Sequence, residues 1–181
     1  MKITLPQALT LATLLSATVF GGSALAETYV KGTQVSYEKD IDSSSKTNYS
    51  SVYIDEANDT EGENYVEFYC EDGAAIFYMY SNQELYDQAQ FDDETTPPLT
   101  VTVDSNKPLK MNTLSLTDEN DEPDFYGLAV EDKFDAQMLR LFQTAKTKVV
   151  LSVTRFDKKT LNFTFYTKGF NDGFKAVNEC K

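Results

Sequence analysis

The sequence contains no histidine, and this absence excludes several kinds of active site. A Ser-His-Asp triad, a Cys-His pair and a histidine-ligated zinc ion all require an imidazole side chain. Tryptophan is absent too, which excludes a tryptophan-lined platform for sugars, and the 2 cysteines are too few for a structural zinc site. Glycine-rich phosphate loops are also missing. We therefore predict that the chain is not an enzyme and uses no cofactor, although a hydrolase that works through two carboxylates remains an alternative.

Positive charge is scarce in the first part of the chain. Residues 27–130 contain five lysines and 23 carboxylates, a balance of −18, whereas residues 131–181 contain ten basic and six acidic residues, a balance of +4. A surface this negative repels nucleic acid and anionic lipid, and it favours cationic partners. We therefore expect the partner to be another protein or a component of the cell envelope, and not nucleic acid. The alternative is that the charge only keeps the protein soluble.

Long apolar runs are absent except near the start of the chain. Lys2 precedes an apolar run at residues 9–20, and Ala24–Ala26 forms a small-x-small cleavage site. This run is shorter than the about 20 residues that span a bilayer, so it does not predict a membrane anchor. We predict a secretory signal peptide over residues 1–26 and a single β-rich domain over residues 27–181. The expected location is the periplasm of a bacterium or the outside of the cell.

The two cysteines lie far apart in the predicted mature chain. Export places Cys70 and Cys180 in an oxidising compartment, where a disulfide is the usual state of a cysteine pair. Such a bridge would enclose most of the mature chain in one loop and so restrict its unfolded state. We predict this disulfide, with two free buried thiols as the alternative.

The stretch YVEFYCEDGAAIFYMYS at residues 65–81 predicts a β-hairpin at the centre of the fold. Asp72-Gly73 suits the left-handed backbone of a two-residue turn, and side chains then alternate between the faces of each strand. One face is apolar and is predicted to lie in the core: Val66, Phe68, Cys70, Ala75, Phe77 and Met79. The other face is rich in tyrosine: Tyr65, Glu67, Tyr69, Glu71, Ala74, Ile76, Tyr78 and Tyr80.

The tyrosines are the candidate binding residues. Nine of the 11 lie between Tyr29 and Tyr86, and four share the second face of the hairpin, namely Tyr65, Tyr69, Tyr78 and Tyr80. Tyrosine combines a large apolar ring with a polar tip, and it is common at recognition surfaces. We predict that these four residues bind a partner. The alternative is that a helix over residues 133–146, or another sheet, covers this face.

Alternating apolar residues predict further strands along the chain. These are residues 33–41, 49–54, 99–104 and 109–116, the last with a bulge or bend, and a late hairpin around residues 149–153 and 161–165. Residues 82–98 are predicted to form a connection with a helical turn. Two late segments follow the helical period, Phe134 to Ala145 and Phe170 to Val177. We therefore predict a mainly β (α+β) fold, an antiparallel β-sandwich-like domain with two helices in the C-terminal third and one disulfide.

Two acidic loops, residues 55–64 and 118–124, are weak candidates for calcium binding because oxygen ligands suit this hard cation. The candidate ligands in the second loop are Asp118, Asn120, Asp121 and Asp124. An EF-hand is excluded, since counting from Asp118 the glycine position is Pro123 and the glutamate position is Ala129. A solvated acidic loop without metal is the alternative, and we assign no metal site.

The order of these segments resembles the exported VasI/TagO-type proteins associated with type VI secretion and related periplasmic β-proteins. The segments that carry the resemblance are VSYEKD, SSVYID, FYCEDGAAIFYMY, LTVTVDSNKP and LNFTFYTKGFNDGFKAVNEC. Thr102 stands where that family has an arginine in its strand and turn. The resemblance implies a sandwich-like fold and a bridge between Cys70 and Cys180.

Together these observations predict an exported, non-enzymatic binding or accessory protein that is linked to secretion or to the cell envelope. The alternative function is a proteinaceous inhibitor of a cationic cell-wall hydrolase of the lysozyme type. Export, a disulfide-braced β-domain and the −18 balance of residues 27–130 motivate this alternative.

Overall fold

The structure is a computed structural model that describes residues 27–181, and the predicted signal peptide lies outside these residues. The strands are β1 (Thr28–Tyr29), β2 (Val35–Glu38), β3 (Ser51–Asp55), β4 (Tyr65–Glu71), β5 (Ala74–Tyr80), β6 (Leu99–Val103), β7 (Leu109–Met111), β8 (Thr113–Thr117), β9 (Pro123–Val130), β10 (Lys148–Thr154) and β11 (Thr160–Tyr166). The helices are α1 (Gln88–Asp92), α2 (Asp135–Thr144) and α3 (Phe170–Ala176), with 3₁₀ turns at Asp132–Phe134 and Asn178–Cys180. None of the helices in this part of the chain has the length and hydropathy needed to cross a membrane.

The strands form two antiparallel sheets. The larger has the order β1-β2-β3-β4-β5-β9-β8 and the smaller has the order β11-β10-β6-β7. Apolar side chains of both sheets and of α2 and α3 belong to one buried cluster. The predicted fold class is therefore confirmed: the chain is mainly antiparallel β and sandwich-like, with α2 and α3 in its C-terminal third.

The central hairpin of the larger sheet, β4 and β5, has the predicted register, with Glu71 facing Ala74 across the turn. Asp72 and Gly73 have φ angles of 50° and 80°, the left-handed backbone that this turn requires. The predicted core face is buried, with exposures of 0% for Val66, Phe68, Cys70, Phe77 and Met79 and 7% for Ala75. The alternation of apolar residues and the Asp72-Gly73 turn thus predicted the register and the buried face of this hairpin correctly.

Helix α2 packs on the apolar face of the hairpin and not on its tyrosine-rich face. The ring centroid of Phe142 lies 5.1 Å from that of Phe68 and 6.2 Å from that of Phe77. The same ring lies 6.4 Å from Phe165 of β11 in the smaller sheet. Phe142 therefore joins the two sheets, and burial of such an aromatic side chain contributes about 1.5 to 3 kcal/mol.

The stretch at residues 109–116 differs from the single strand with a bulge or bend that the sequence predicts. The chain changes sheets at Asn112: β7 pairs with β6 in the smaller sheet, and β8 pairs with β9 in the larger one. Hydroxyl Oγ1 of Thr113 donates to the carbonyl of Pro97 at 2.8 Å and so anchors the point of change. Met111 and Thr113, on either side of this point, are buried, whereas Leu109 and Leu114 are exposed.

Strands β1 and β9 have no counterpart in the sequence predictions. Strand β9 begins at Pro123, inside the predicted acidic loop 118–124, which is therefore a shorter turn. It also contains Gly127, and both proline and glycine are rare within strands. Its last four residues, 127–130, are all buried, so no alternation marks it as a strand.

The predicted disulfide between Cys70 and Cys180 is present, with Cα atoms 4.9 Å apart, and no free cysteine occurs among the described residues. Cys180 ends a turn in which residues 178–180 all have φ between 53° and 60°. Three consecutive left-handed residues without glycine are unfavourable on their own. Asn48 Nδ2 donates to the carbonyl of Val177 at 2.8 Å, so this hydrogen bond and the bridge together hold the turn against the central hairpin.

Replacing both Cys70 and Cys180 by serine is expected to lower the free energy of unfolding by about 4 to 5 kcal/mol, because the bridge closes a loop of 110 residues in the unfolded chain. Urea denaturation of the two proteins without reductant measures the difference. Reductant should bring the wild type to the stability of the serine variant and leave that variant unchanged. Equal stability of the two oxidised proteins would contradict this account of the bridge.

Candidate functional site

The outer side of the larger sheet carries a group of tyrosines around one carboxylate. We call it the tyrosine face: Tyr53, Tyr65, Tyr69, Tyr78 and Tyr80, with Glu67 between them. Strand register brings them together, because Tyr53 faces Glu67 across β3 and β4, and Glu67 faces Tyr78 across β4 and β5. Tyr65 faces Tyr80 in the same way. Residues directly opposite in antiparallel strands point to the same side of the sheet, so these side chains share one surface.

Four of these rings form a continuous chain of contacts. Tyr65 stacks on Tyr80 with ring centroids 4.8 Å apart, and Tyr53 meets Tyr65 edge-on at 6.0 Å. Tyr78 lies 6.4 Å from Tyr80. Aromatic pairs at such distances add about 0.5 to 1.5 kcal/mol beyond the area that they bury. These ring contacts therefore stabilise the positions of the four tyrosine side chains.

The tyrosine face points away from the core. The predicted alternative of a covering helix is wrong, because α2 places Phe142 against Phe68 and Phe77 on the opposite side of the sheet. The smaller sheet also packs on that opposite side, through Phe165 against Phe142. All five tyrosines of the face remain partly exposed. Their rings are thus within reach of a partner in solution.

Glu67 lies at the centre of the tyrosine face, and its carboxyl is largely shielded from solvent. Burial raises the pKa of its carboxyl, and the charge of Glu38 adds to this, while hydrogen bonds from Ser51 and Tyr53 act in the other direction. The Ser51 hydroxyl donates to Glu67 Oε1 at 2.5 Å. Ion pairs within residues 27–181 involve three other acidic side chains near the surface, Glu131, Asp157 and Glu179. Glu67 therefore has hydrogen-bond donors but no cation.

The phenol groups around Glu67 are held in their protonated form. Burial, together with nearby carboxylates, raises the pKa of Tyr65, Tyr78 and Tyr80 above the ordinary value of 10.0. Protonated phenols donate hydrogen bonds, and their ring faces attract cations, but they are poor nucleophiles. This surface is therefore suited to bind cationic groups and hydrogen-bond acceptors.

A pocket with a volume of about 330 Å³ opens at one end of the face. Three tyrosines and four carboxylates line it: Tyr29, Tyr53, Tyr65, Glu27, Glu38, Asp55 and Glu61. Burial raises the pKa of the Asp55 carboxyl, and the charges of Glu27 and Asp59 raise it further. An ammonium or guanidinium group in this pocket would meet both negative charge and aromatic ring faces.

The four calcium candidates, Asp118, Asn120, Asp121 and Asp124, lie in or beside the turn between β8 and β9. Asp118 accepts hydrogen bonds from the backbone N–H groups of Asn120 at 2.8 Å and Glu122 at 3.0 Å. Asp124 Oδ1 accepts the N–H of Tyr126 at 3.0 Å. Within residues 27–181, no three His, Cys, Asp or Glu side chains are grouped so that they could hold a metal ion. Asp118 and Asp124 therefore act as turn-forming groups here.

Sequence reasoning placed four tyrosines on this face but missed Tyr53 and the central position of Glu67. It also missed Tyr49, whose ring centroid lies 6.5 Å from that of the predicted Tyr69. The alternation of residues 49–54 does place Tyr49 and Tyr53 on one side of their strand. The pairing of β3 with β4 then brings that side next to the hairpin tyrosines, and this pairing is not visible in the local pattern.

Gly127 on β9 lies directly opposite Tyr80 and permits the close packing of its ring. A Cβ atom at this position would lie 2.6 Å from Leu116 Cδ1, 2.9 Å from Asp124 Oδ2 and 3.2 Å from Tyr80 Cε1. We therefore expect Gly127→Ala to displace the side chains of Leu116 and Asp124, to crowd the Tyr80 ring and to lower the free energy of unfolding by about 1 to 3 kcal/mol. Thermal denaturation measures the stability, and near-ultraviolet circular dichroism reports the tyrosine packing. An unchanged spectrum and a stability within about 0.5 kcal/mol of the wild type would contradict this role.

Glu67→Gln is expected to stabilise the protein at neutral pH. The pKa of Glu67 is raised above 4.5 in the folded state, so ionised Glu67 lowers stability. This penalty is absent below the unfolded pKa, appears as the pH rises through the folded pKa and is constant above it. Glutamine keeps an acceptor for the Ser51 hydroxyl. The melting temperature of the variant should therefore exceed that of the wild type at neutral pH, and the two should converge near pH 4.

Asp157→Asn is the matched control, because hydrogen bonds from Lys159 lower the pKa of Asp157. The ionised form of Asp157 therefore stabilises the fold, and its removal should lower the melting temperature at neutral pH. This effect should be lost as the pH falls through the folded pKa. The same sign of pH dependence for both variants would show that a general charge effect, and not burial of Glu67, is responsible.

Comparison of the chain with protein-family models, with curated proteins and with solved structures found no match in any of the three.

Proposed function

We propose that this chain is an exported, non-enzymatic binding protein that holds a cationic partner on its tyrosine face. The partner is another protein or a component of the cell envelope. One observation carries the proposal: a chain of four stacked and edge-on tyrosines surrounds carboxylates that have no cation beside them in the described residues. The predicted signal peptide supports export, and the disulfide suits an oxidising compartment such as the periplasm or the cell exterior.

A lysine or arginine of the partner fits this surface for two reasons. Its charge would compensate Glu67, whose burial makes the ionised carboxylate unfavourable in the unbound protein. Its contact with tyrosine rings would add about 0.5 to 2 kcal/mol for each cation–π pair. Tyrosine is also among the residues that contribute most to binding energy at protein interfaces. The pocket lined by Tyr29, Tyr53 and Tyr65 could receive one such side chain.

The charge of the protein supports the same class of partner. The balance of −18 in residues 27–130 includes every strand of the larger sheet, so the sheet that carries the tyrosine face lies in the acidic part of the chain. Long-range attraction would speed the approach of a basic partner and oppose that of nucleic acid. The resemblance to VasI/TagO-type proteins supports an accessory role in secretion or in the envelope.

A second candidate function is inhibition of a cationic cell-wall hydrolase of the lysozyme type. The same acidic surface favours it, since a partly exposed aromatic face surrounded by carboxylates could cover a positively charged enzyme. This function would require the partner's active site to be blocked and not merely its surface to be bound. The two proposals therefore differ in one measurable result.

The first experiment is a binding titration with an amidated peptide of alternating lysine and serine, at low and moderate salt. We expect the double variant Tyr65→Ala, Tyr80→Ala to bind about tenfold or more weakly than the wild type, because aromatic anchors at interfaces each contribute on the order of 2 kcal/mol. Tyr166→Ala is the control, since this tyrosine is 47% exposed and lies on β11 of the smaller sheet. None of these substitutions changes the net charge, so general attraction by the acidic protein is the same in all. Equal binding by all three proteins would sink the proposal.

The second experiment measures lysozyme activity on cell walls at micromolar protein and low salt. Inhibition that the double tyrosine variant loses and Tyr166→Ala keeps would establish the second candidate function. Absence of inhibition by the wild type would rule out that candidate and leave the binding proposal to the peptide titration.

A further inference from the structure

Strand β5 has an open edge along its first half. Strand β4 pairs with the whole of β5, but β9 pairs with it only over residues 78–80. Beyond this point β9 ends at Val130 and the chain turns into the 3₁₀ turn that precedes α2. The edge of residues 74–77 therefore has no strand beside it in the described structure.

The direction of the backbone groups on this edge follows from the ladder. The N–H of Cys70 donates to Ser50 on the β3 side at 2.8 Å, so the pair of Cys70 with Ala75 is not hydrogen-bonded across β4 and β5. The N–H and C=O of Ala75 consequently point to the open edge. Two residues on, the N–H of Phe77 points the same way, and Asp135 Oδ1 accepts it at 2.9 Å. A carboxylate of α2 thus occupies the position that a neighbouring strand would otherwise take.

This open edge forms one wall of a groove with a volume of about 1000 Å³. Helix α2 supplies the other wall through Ala136 and Leu139, and Leu114 and Val130 add apolar surface from β8 and β9. Leu114 is 45% exposed, so its side chain is accessible from the groove. With the Phe77 N–H taken by Asp135, the stretch open to an added strand is residues 74–76, about 10 Å of extended chain.

The charged residues of the groove are almost all acidic. They are Glu71, Asp72, Asp132, Asp135 and Glu179, with Lys181 as the single positive side chain. Lys181 is already paired with Glu179, its Nζ lying 2.7 Å from Oε2. The groove therefore combines unpaired backbone groups, an apolar lining and uncompensated negative charge near both ends of the open edge.

We propose that this groove binds a short, extended, basic segment of a partner protein, which adds a strand to the free edge of β5. Backbone hydrogen bonds to Ala75 would supply affinity, as in other cases of strand addition, and the groove would select small apolar residues flanked by lysine or arginine. A second copy of this chain fits less well, since edge-to-edge pairing would place two sets of groove carboxylates side by side. This site adjoins the tyrosine face at Tyr78, but it binds through the backbone edge of β5 and not through the tyrosine rings.

The test uses the isotope-labelled mature chain, residues 27–181, titrated in an NMR experiment with the peptide acetyl-KVTVTK-amide. Binding should shift the amide signals of Ala75 and Phe77 and slow hydrogen exchange at the Ala75 N–H, because this group gains an acceptor. The acidic peptide acetyl-EVTVTE-amide should not bind. A third peptide, the basic sequence with N-methylated backbone at alternate positions, should not bind either, since it cannot pair with the edge.

Two variants and one control variant locate the site. Asp135→Asn keeps an oxygen acceptor for the Phe77 N–H and removes one charge, and it should weaken the basic peptide about two- to fivefold. Asp157→Asn makes the same change of charge in the turn between β10 and β11 and should have no effect. Ala75→Pro removes a donor that points away from β4, a position where edge strands tolerate proline, and it should abolish binding. If this variant fails to fold, the N-methylated peptide makes the same test on the wild type.

Three results would overturn the proposal. One is equal binding of the N-methylated and unmodified peptides, which would show that charge alone is recognised. Another is a set of shifts confined to the tyrosine face and lost in the double variant Tyr65→Ala, Tyr80→Ala, which would assign the peptide to the proposed function and not to the groove. The last is the absence of any shift at millimolar peptide, whether or not the chain self-associates through β5.

Discussion

The register of the β4–β5 hairpin determines the two sides of the larger sheet, because a shift by one residue would exchange every side chain between them. The two-residue turn at Asp72-Gly73 sets that register, and its left-handed backbone allows no other spacing of the strands. With this turn in place, Phe68 meets Phe142 in the core and Cys70 meets Cys180. The tyrosines are at the same time directed outward. Core, bridge and tyrosine face are thus three consequences of one local constraint.

The parts of the fold that were predictable from the sequence are those that local patterns determine. Alternation and the turn dipeptide gave the hairpin, its register and its buried residues, and the pair of cysteines in a chain predicted to be exported gave the bridge. The parts that were missed depend on contacts between distant segments. The change of sheet at Asn112, the short strand β9 and the side of the sheet that α2 covers all follow from how elements pack, which no short pattern encodes.

The same distinction explains the candidate site. Four tyrosines could be placed on one surface because they belong to a single hairpin, but Tyr53 and Glu67 gained their roles only through the pairing of β3 with β4. The open edge of β5 is a still less local feature, since it exists because β9 pairs with β5 only as far as Tyr78, four residues short of the hairpin turn. The sequence therefore predicts which residues share a surface within one hairpin more readily than it predicts how far two distant strands pair.

Carboxylates without cations lower the stability of this protein, and the structure shows what offsets them. Burial raises the pKa of Glu67, Asp55 and Asp135, and each shift records a destabilising effect at neutral pH. The disulfide and the aromatic cluster around Phe142 provide the compensating stability.

The tyrosine face and the groove meet at Tyr78, which belongs to the face and also lines the groove. In a strand added to β5, alternate side chains would point to the same side of the sheet as Ile76 and Tyr78. A segment bound in the groove would therefore extend the tyrosine face with side chains of its own. Coupling between two binding sites is reciprocal. If a segment in the groove increases the affinity of the tyrosine face for a partner, then that partner on the tyrosine face increases the affinity of the groove for the segment by the same factor. Both proposed sites are therefore built on β5, whose side chains form part of the tyrosine face and whose free backbone edge forms part of the groove.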